Sequence, residues 1–199
     1  MAQSVDNKLI DYLNYRPKGK IYFLDDFALL ASADSIRKSM SVLEKKGILL
    51  RLTQGIYLYP KIDPEFGVLY PSVDDVCRAI AKRDKARIVP TGVFALHSLG
   101  LTTQIPNNVV YLTDGIPRKI KYRNRTIKFK KTAPKNLSMK GKISRLVVAA
   151  LKEIGKTNVT QDILAQLAKV LKAESLENIN HDARLAPAWI SKIMLSLVK

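Results

Sequence analysis

The sequence predicts an α+β protein in two parts. Residues 1–62 form a small domain of helices closed by a β-hairpin, and residues 63–199 form a basic mixed α/β domain that ends in helices. Three observations carry this expectation. Ser32 to Tyr59 reads as an amphipathic helix stopped by Gly47 and followed at once by a hairpin. Three prolines between Pro60 and Pro71, with Gly67 among them, mark Lys61 to Pro71 as a linker. Arg118 to Lys131 alternates apolar and polar residues with period two, and after Pro134 the pattern turns helical.

In chain order, Ser4 to Tyr15 reads as a helix with Val5, Leu9, Ile10 and Leu13 on one side. Arg16-Pro17-Lys18-Gly19-Lys20 is a turn, and Ile21-Tyr22-Phe23 a short strand. Asp25 is placed to cap a brief helix, Asp26 to Ala31, with Phe27 and Leu30 inward. Ser32 then suits the N-cap of a longer helix, and Asp34 lies where the helix dipole favours a carboxylate. Ile36, Met40 and Leu43 share one face, with Lys38, Ser41 and Lys45 opposite and Ser35 and Arg37 on the flanks. Gly47 can take the left-handed conformation that ends a helix. Ile48–Leu52 and Ile56–Tyr59 are rich in β-formers, joined through Thr53-Gln54-Gly55.

Helix, short strand, helix, polar-faced helix, hairpin is the element order of a winged helix-turn-helix. In that layout the second helix of the motif enters the DNA major groove and the hairpin touches the backbone. The same helix pattern also suits an ordinary solvated surface helix.

Beyond the linker, Ser72 to Arg83 makes a helix on the Val73, Val76, Ile80 stripe. Arg87-Ile88-Val89 is a strand ending at Pro90, and Thr91 caps a helix, Gly92 to Leu99, that Gly100 stops. Val109 to Thr113 is a strand ending in the Asp114-Gly115 turn. In RKIKYRNRTIKFKK, Ile120 and Tyr122 face one way, and Lys119, Lys121 and Arg123 the other. After a bend at Asn124, Ile127 and Phe129 face inward while Thr126, Lys128 and Lys130 face out. Such alternation means a sheet with one packed and one cationic face. Solvated edge hairpins carry lysines to deter aggregation, but this many cations without an acid exceeds that need. Helices follow over Met139–Ile154, Gln161–Leu171 (capped by Thr160, with Val159 and Leu164 as a staple), Glu174–Leu185 and Pro187–Val198.

The formal charge is +17, which points to a polyanionic partner, either nucleic acid or an anionic surface. It is unevenly placed. Residues 1–70 hold ten Lys/Arg against eight Asp/Glu, residues 71–199 hold 24 against nine, and Arg118 to Arg145 contains twelve cations and no acid. The polar-faced helix thus sits in the nearly neutral part, and electrostatic grip is expected from the other.

Composition and motifs argue against several function classes. The lone Cys77 leaves no intramolecular disulfide and fits a reducing compartment. No apolar run suggests a signal peptide or a membrane span, so a cytoplasmic protein is expected. His97 and His181 have no ligand-spaced partners, and no phosphate-binding loop, nucleophile elbow or zinc-protease motif is present. His97, within FALHSLGL, reads as a packed residue. Asp25-Asp26 and Asp74-Asp75 read as helix-start acids, so no enzyme, metal or cofactor is expected. Tyr57, Tyr59, Tyr111 and Tyr122 could stack on bases, although strand tyrosines usually pack.

Arg87 to Leu137 resembles the second domain of AbiEi-type antitoxins, in the branch with a winged-helix N-terminus. The matching residues are Pro90, Thr91, Gly92, Leu99-Gly100-Leu101, Gln104, Pro106, Tyr111–Gly115 and Ile127–Lys130, preceded by GIYLYPK and by Phe66–Ser72. The resemblance covers roughly residues 5–155. It implies a type IV toxin–antitoxin system in abortive phage defence, whose antitoxin represses its own operon. Such an antitoxin opposes a nucleotidyltransferase-like toxin without a stable complex.

Together these readings give double-stranded operator DNA as the expected partner. Ser35, Arg37, Lys38 and Ser41 would probe groove edges, flanked by Ser32 and Lys45, with Arg51 and Gln54 on the backbone. Arg118, Lys119, Lys121, Arg123, Lys128 and Lys130 would hold a neighbouring phosphate run. The alternative is an RNA-processing or RNA-modifying protein whose basic domain clasps structured RNA.

Overall fold

Ser4 opens the first helix, α1 (Val5–Asn14), by accepting the Asn7 N–H on its hydroxyl at 3.3 Å. The computed structural model describes residues 3–104 and 106–198. After β1 (Ile21–Phe23) comes a single 3-10 turn, Leu24–Phe27, earlier and shorter than the brief helix expected over Asp26 to Ala31. Asp26 rather than Asp25 supplies the cap, its Oδ2 accepting the Phe23 N–H at 2.8 Å. Ala28 N–H to Asp25 O and Leu30 N–H to Phe27 O are i→i+3 bonds, so the segment tightens and ends before Ser32 starts the next helix.

That helix, α2 (Ala33–Lys45), buries Ile36, Met40 and Leu43 with Leu9 and Leu13 of α1 and with Tyr22 and Phe27. Each such side chain contributes about 1.5–3 kcal/mol. Gly47, at φ 71°, turns the chain out of the helix into β2 (Leu50–Thr53) and β3 (Ile56–Leu58). Strand order is β1-β3-β2, all antiparallel, with a bulge between Arg51 and Thr53. The central β3 is therefore buried at every residue. The Tyr22 hydroxyl is buried without a hydrogen bond, and burial pushes its pKa up to about 12. Lys61 to Pro71, expected as a linker, carries a small hairpin of β4 (Ile62–Asp63) and β5 (Gly67–Val68), its turn held by Asp63 Oδ1 on the Glu65 and Phe66 amides. Ser72 and Asp75 cap α3 (Val73–Arg83) reciprocally. The chain divides into two compact units, Met1–Ala79 and Ile80–Lys199, with the division inside α3.

The second unit begins with β6 (Ile88–Pro90), α4 (Gly92–Ser98) and β7 (Asn108–Thr113), followed by β8 (Arg118–Tyr122) and β9 (Arg125–Lys131). The sheet order is β6-β7-β9-β8; β7 and β9 run parallel, the other neighbours antiparallel. Helices α5 (Lys142–Ile154), α6 (Gln161–Leu171), α7 (Leu176–Leu185) and α8 (Ala188–Ser196) complete the unit. Val147, Val148 and Leu151 of α5 form its helical core with Ala95 of α4, Leu167 of α6 and Ile190 of α8.

The N-terminus of α5 is capped from a distance. Asp182, fully buried, accepts the Lys140 and Gly141 amides at 2.9 Å each, the Ser144 hydroxyl, and His181 Nδ1 at 2.8 Å. Glu174 accepts the Ile143 amide at 2.8 Å. Burial alone would raise both carboxyls. The hydrogen bonds outweigh it and hold both below the usual carboxylate range. Ser175, not Glu174, caps α7 by accepting the Asn178 amide at 3.2 Å, while the Glu174 carboxylate divides between the Ile143 amide of α5 and the Asn178 side chain.

Candidate nucleic-acid interface

Residues that pair across neighbouring strands project from the same face of a sheet. The register of the second unit therefore sorts its side chains. Lys119, Lys128 and Val110 form one row; Lys121, Thr126 and Asn108 the next; Lys130, Leu112 and Val89 a third. These rows lie on one face. Ile120, Ile127 and Val109 lie on the other, with Phe129 stacked on Tyr111 at a ring separation of 6.0 Å. Lys119, Lys121 and Lys130 are exposed and Lys128 is half-buried. No acid occurs between residues 118 and 131, so the Lys119–Lys128 pair faces its like charge with no carboxylate on either strand. Like charges directly opposite destabilise a sheet by roughly 0.2–1 kcal/mol. An anion laid on this face would relieve that repulsion.

Two residues expected to hold phosphate lie off the lysine face. Arg118 pairs in register with Phe129 on the packed side, and its guanidinium bonds Asp84 Oδ2. Asp84 also accepts Arg83 Nε at 2.9 Å, so this carboxylate serves two arginines. Arg123 occupies the hairpin turn at φ 51°, exposed at the tip rather than on the strand face. A two-residue turn places its first residue in the left-handed region, which the alternation pattern alone does not reveal.

In the first unit, α2 exposes Lys38, Ser41 and Lys45 opposite its buried stripe. Ser32 and Ser35 hydrogen-bond each other through their hydroxyls at 2.9 Å, and Arg37 pairs with Asp34 at 2.7 Å on the surface. Arg51 of β2 and Gln54 in the β2–β3 turn are exposed. The expected contact residues thus fall into two groups, one in each unit, plus Arg118 and Arg123, which lie off the lysine face.

The residues that carry the family resemblance serve largely as internal ties of the second unit. Thr91 stands at the N-cap of α4, but its hydroxyl donates to Val110 O at 3.0 Å and so binds that helix start to β7. Gly92 leaves room for Glu153 of α5; a Cβ there would meet the Glu153 carboxylate at 2.1 Å. Asp114 accepts Arg87 N–H at 2.7 Å and Arg87 Nε at 2.8 Å, and the Arg87 guanidinium and amide hold its carboxyl below the usual range. Gly115 faces Ala86 where a Cβ would come within 2.6 Å. Leu99 O accepts Gln166 Nε2 at 2.9 Å, and Gly100 turns at φ 69°.

Of the tyrosines considered for stacking, Tyr57, Tyr111 and Tyr122 are buried and present no ring to a strand of bases. His97 is only half-buried. Among the described residues no three His, Cys, Asp or Glu converge as metal ligands, and no helix is long and apolar enough to cross a membrane.

Fold and surfaces together define a mixed α+β protein of two units, one nearly neutral and one with a lysine-covered sheet face. The chain belongs to the family described as "Family of unknown function (DUF6088)", whose family model matches residues 8–179. The crystal structure of the RV2827C protein from Mycobacterium tuberculosis is similar over 98% of this chain and 82% of that one, with a TM-score of 0.49 and 13% identity. No curated protein matches.

Proposed function

We propose that the protein is a cytoplasmic, cofactor-free DNA-binding transcriptional regulator. The resemblance of Arg87 to Leu137 further suggests the self-repressing antitoxin of an AbiEi-like type IV toxin–antitoxin pair in phage defence. On this reading the first unit is a winged helix-turn-helix, with α2 as the reading helix and β2–β3 as the wing. The observation that carries the DNA-binding reading is the strand register that gathers Lys119, Lys121, Lys128 and Lys130 on one sheet face. A row of lysines fits the regularly spaced phosphates of a nucleic-acid backbone, each contact releasing condensed counterion. The exposed Lys38, Ser41 and Lys45 of α2 supply hydrogen-bonding side chains of the kinds that read base edges.

The experiment is the salt dependence of operator binding by the full chain and by the variant Lys121→Gln/Lys128→Gln/Lys130→Gln. Each lost phosphate contact should flatten the slope of log K against log salt by about 0.9, so the triple variant should lose about two to three units. An unchanged slope removes this face from the binding surface. Structured RNA as competitor sets duplex against RNA, and a preference for RNA would overturn the operator reading. The antitoxin role predicts that co-expression relieves the toxicity of a neighbouring nucleotidyltransferase-like gene product without the two co-purifying.

A further inference from the structure

The third row of the lysine face, Lys130–Leu112–Val89, runs from the open sheet into a cavity of about 250 Å³. Its floor is apolar: Val89 and Leu112 from the strands, Val148 from α5 and Met139 from the segment before it. Arg145, Val148, Ala149 and Lys152 also line it, and their spacing of three, four and seven residues puts them on one face of α5. That face therefore presents a cation, two apolar residues, then a second cation one further turn along. Glu153 lies against Gly92 at the start of α4. Asn136, which also lines the cavity, donates from its amide nitrogen to Thr132 Oγ1 at 2.8 Å.

We propose that this cavity takes one nucleotide. The base lies on the floor of Val89, Leu112, Met139 and Val148, with its edge read by Asn136, and the phosphate rests at Lys152 on the rim. Size decides between one unit and several: small-molecule pockets run roughly 300–1,000 Å³, and this one falls just below that range. It holds a base and its sugar, not a dinucleotide. Chemistry decides for a nucleotide over a plain anion, because a phosphate alone would leave the apolar floor uncovered. The nucleotide can come from an unpaired position of a strand lying on the lysines, or free from solution. Only the strand-borne source rests on the reading of the lysine face as a phosphate-tracking surface.

The test uses the full chain and two variants. Ala149→Leu fills the cavity without changing charge, and Lys152→Gln removes a rim cation from an exposed position; thermal unfolding of each checks that it folds. In the first arm AMP, GMP, CMP and UMP are titrated singly by calorimetry, with adenosine and inorganic phosphate as partial ligands. In the second arm a duplex carrying 2-aminopurine in a one-nucleotide bulge is followed by fluorescence at fixed salt.

For a free nucleotide, a monophosphate should bind more tightly than adenosine or phosphate, and each variant should weaken it about tenfold or more. For a strand-borne nucleotide, the bulge signal should appear with the parent and be lost in Ala149→Leu, while the lysine-dependent salt slope stays at its parental value. Phosphate binding as tightly as the monophosphates would overturn the proposal, as would signals in both arms that neither variant changes, or no signal in either. If instead the triple lysine variant keeps the parental slope while monophosphates still bind, the phosphate-tracking reading fails and the pocket stands.

Discussion

The two units differ sharply in charge. Met1–Ala79 holds eleven Lys/Arg against ten Asp/Glu, and Ile80–Lys199 holds 23 against seven. The outer face of α2 mixes short hydroxyls with a few cations, one of which, Arg37, is already paired with Asp34. The face of β8 and β9 is lysine after lysine with no acid between them. A near-neutral surface of short polar groups can discriminate among bases but holds a polyanion weakly. A dense lysine surface holds any phosphate backbone and discriminates poorly. The contrast suggests a division of labour, recognition in one unit and grip in the other.

The strongest way to break that comparison is at the lysines. At about 150 mM salt the loss of three phosphate contacts in Lys121→Gln/Lys128→Gln/Lys130→Gln should weaken binding about a hundredfold. Operator and random duplex should lose equally, as parallel titrations of the two would reveal. If the operator suffers much more than random DNA, the sheet reads bases and the division is wrong.

Comparable in size is the converse experiment on α2. Lys38→Ala with Ser41→Ala should reduce the preference for operator over random duplex by a few kcal/mol, taking roughly 1–3 kcal/mol per good base contact. Its salt slope should change by no more than the single lysine removed. Both side chains point away from the Ile36, Met40 and Leu43 stripe, so the thermal midpoint should hold. Intact operator preference in this variant would dismiss α2 as the reader.

Acid should separate the units by stability. Burial raises Asp182 and its hydrogen bonds from Ser144, His181, Lys140 and Gly141 lower it further than that, so its folded-state pKa lies below the unfolded value. Such a group contributes in full above the unfolded pKa of about 3.9, and its contribution is lost as pH falls through the folded value. Asp182→Asn should cost about 2 kcal/mol at neutral pH through weakened charged hydrogen bonds, and should lose much of this acid dependence. Trp189, the one tryptophan and part of α8, reports the second unit selectively in urea titrations at several pH values. An identical acid limb in parent and variant would show that the cap of α5 is not what acid removes.

The smallest effect sharpens the assignment of faces. Arg118→Gln should leave the salt slope of DNA binding unchanged, because Arg118 lies on the packed side with Asp84. A drop near 0.9, the value of one phosphate contact, would put Arg118 back among the binding residues.

Much of this was legible from residue order, for a physical reason. The stripe of Ile36, Met40 and Leu43, the stop at Gly47 and the alternation from Lys119 to Lys130 are set by helix and strand periodicity, which acts within a few residues. The lysine face could therefore be assembled before any strand was paired. The brief helix at Asp26 was misjudged because two adjacent aspartates offer equally good caps. Only the backbone, through the Phe23 amide, chooses between them.

By itself, then, the sequence determined most of the helices and strands, though not the β4–β5 hairpin, as well as which side of each is packed and that charge gathers in the second unit. Tertiary structure alone decided that β7 and β9 run parallel, that Arg118 finds Asp84 as its partner, and that Asp182 caps a helix start 42 residues away. It also decided that α5 closes a cavity over Leu112 and Val89 at the end of the lysine rows. Periodicity is a property of neighbours along the chain, whereas these are pairings between partners far apart in it. A carboxylate looks the same in sequence whether it faces solvent or satisfies the amides of a distant helix, and only folding brings its partner into reach.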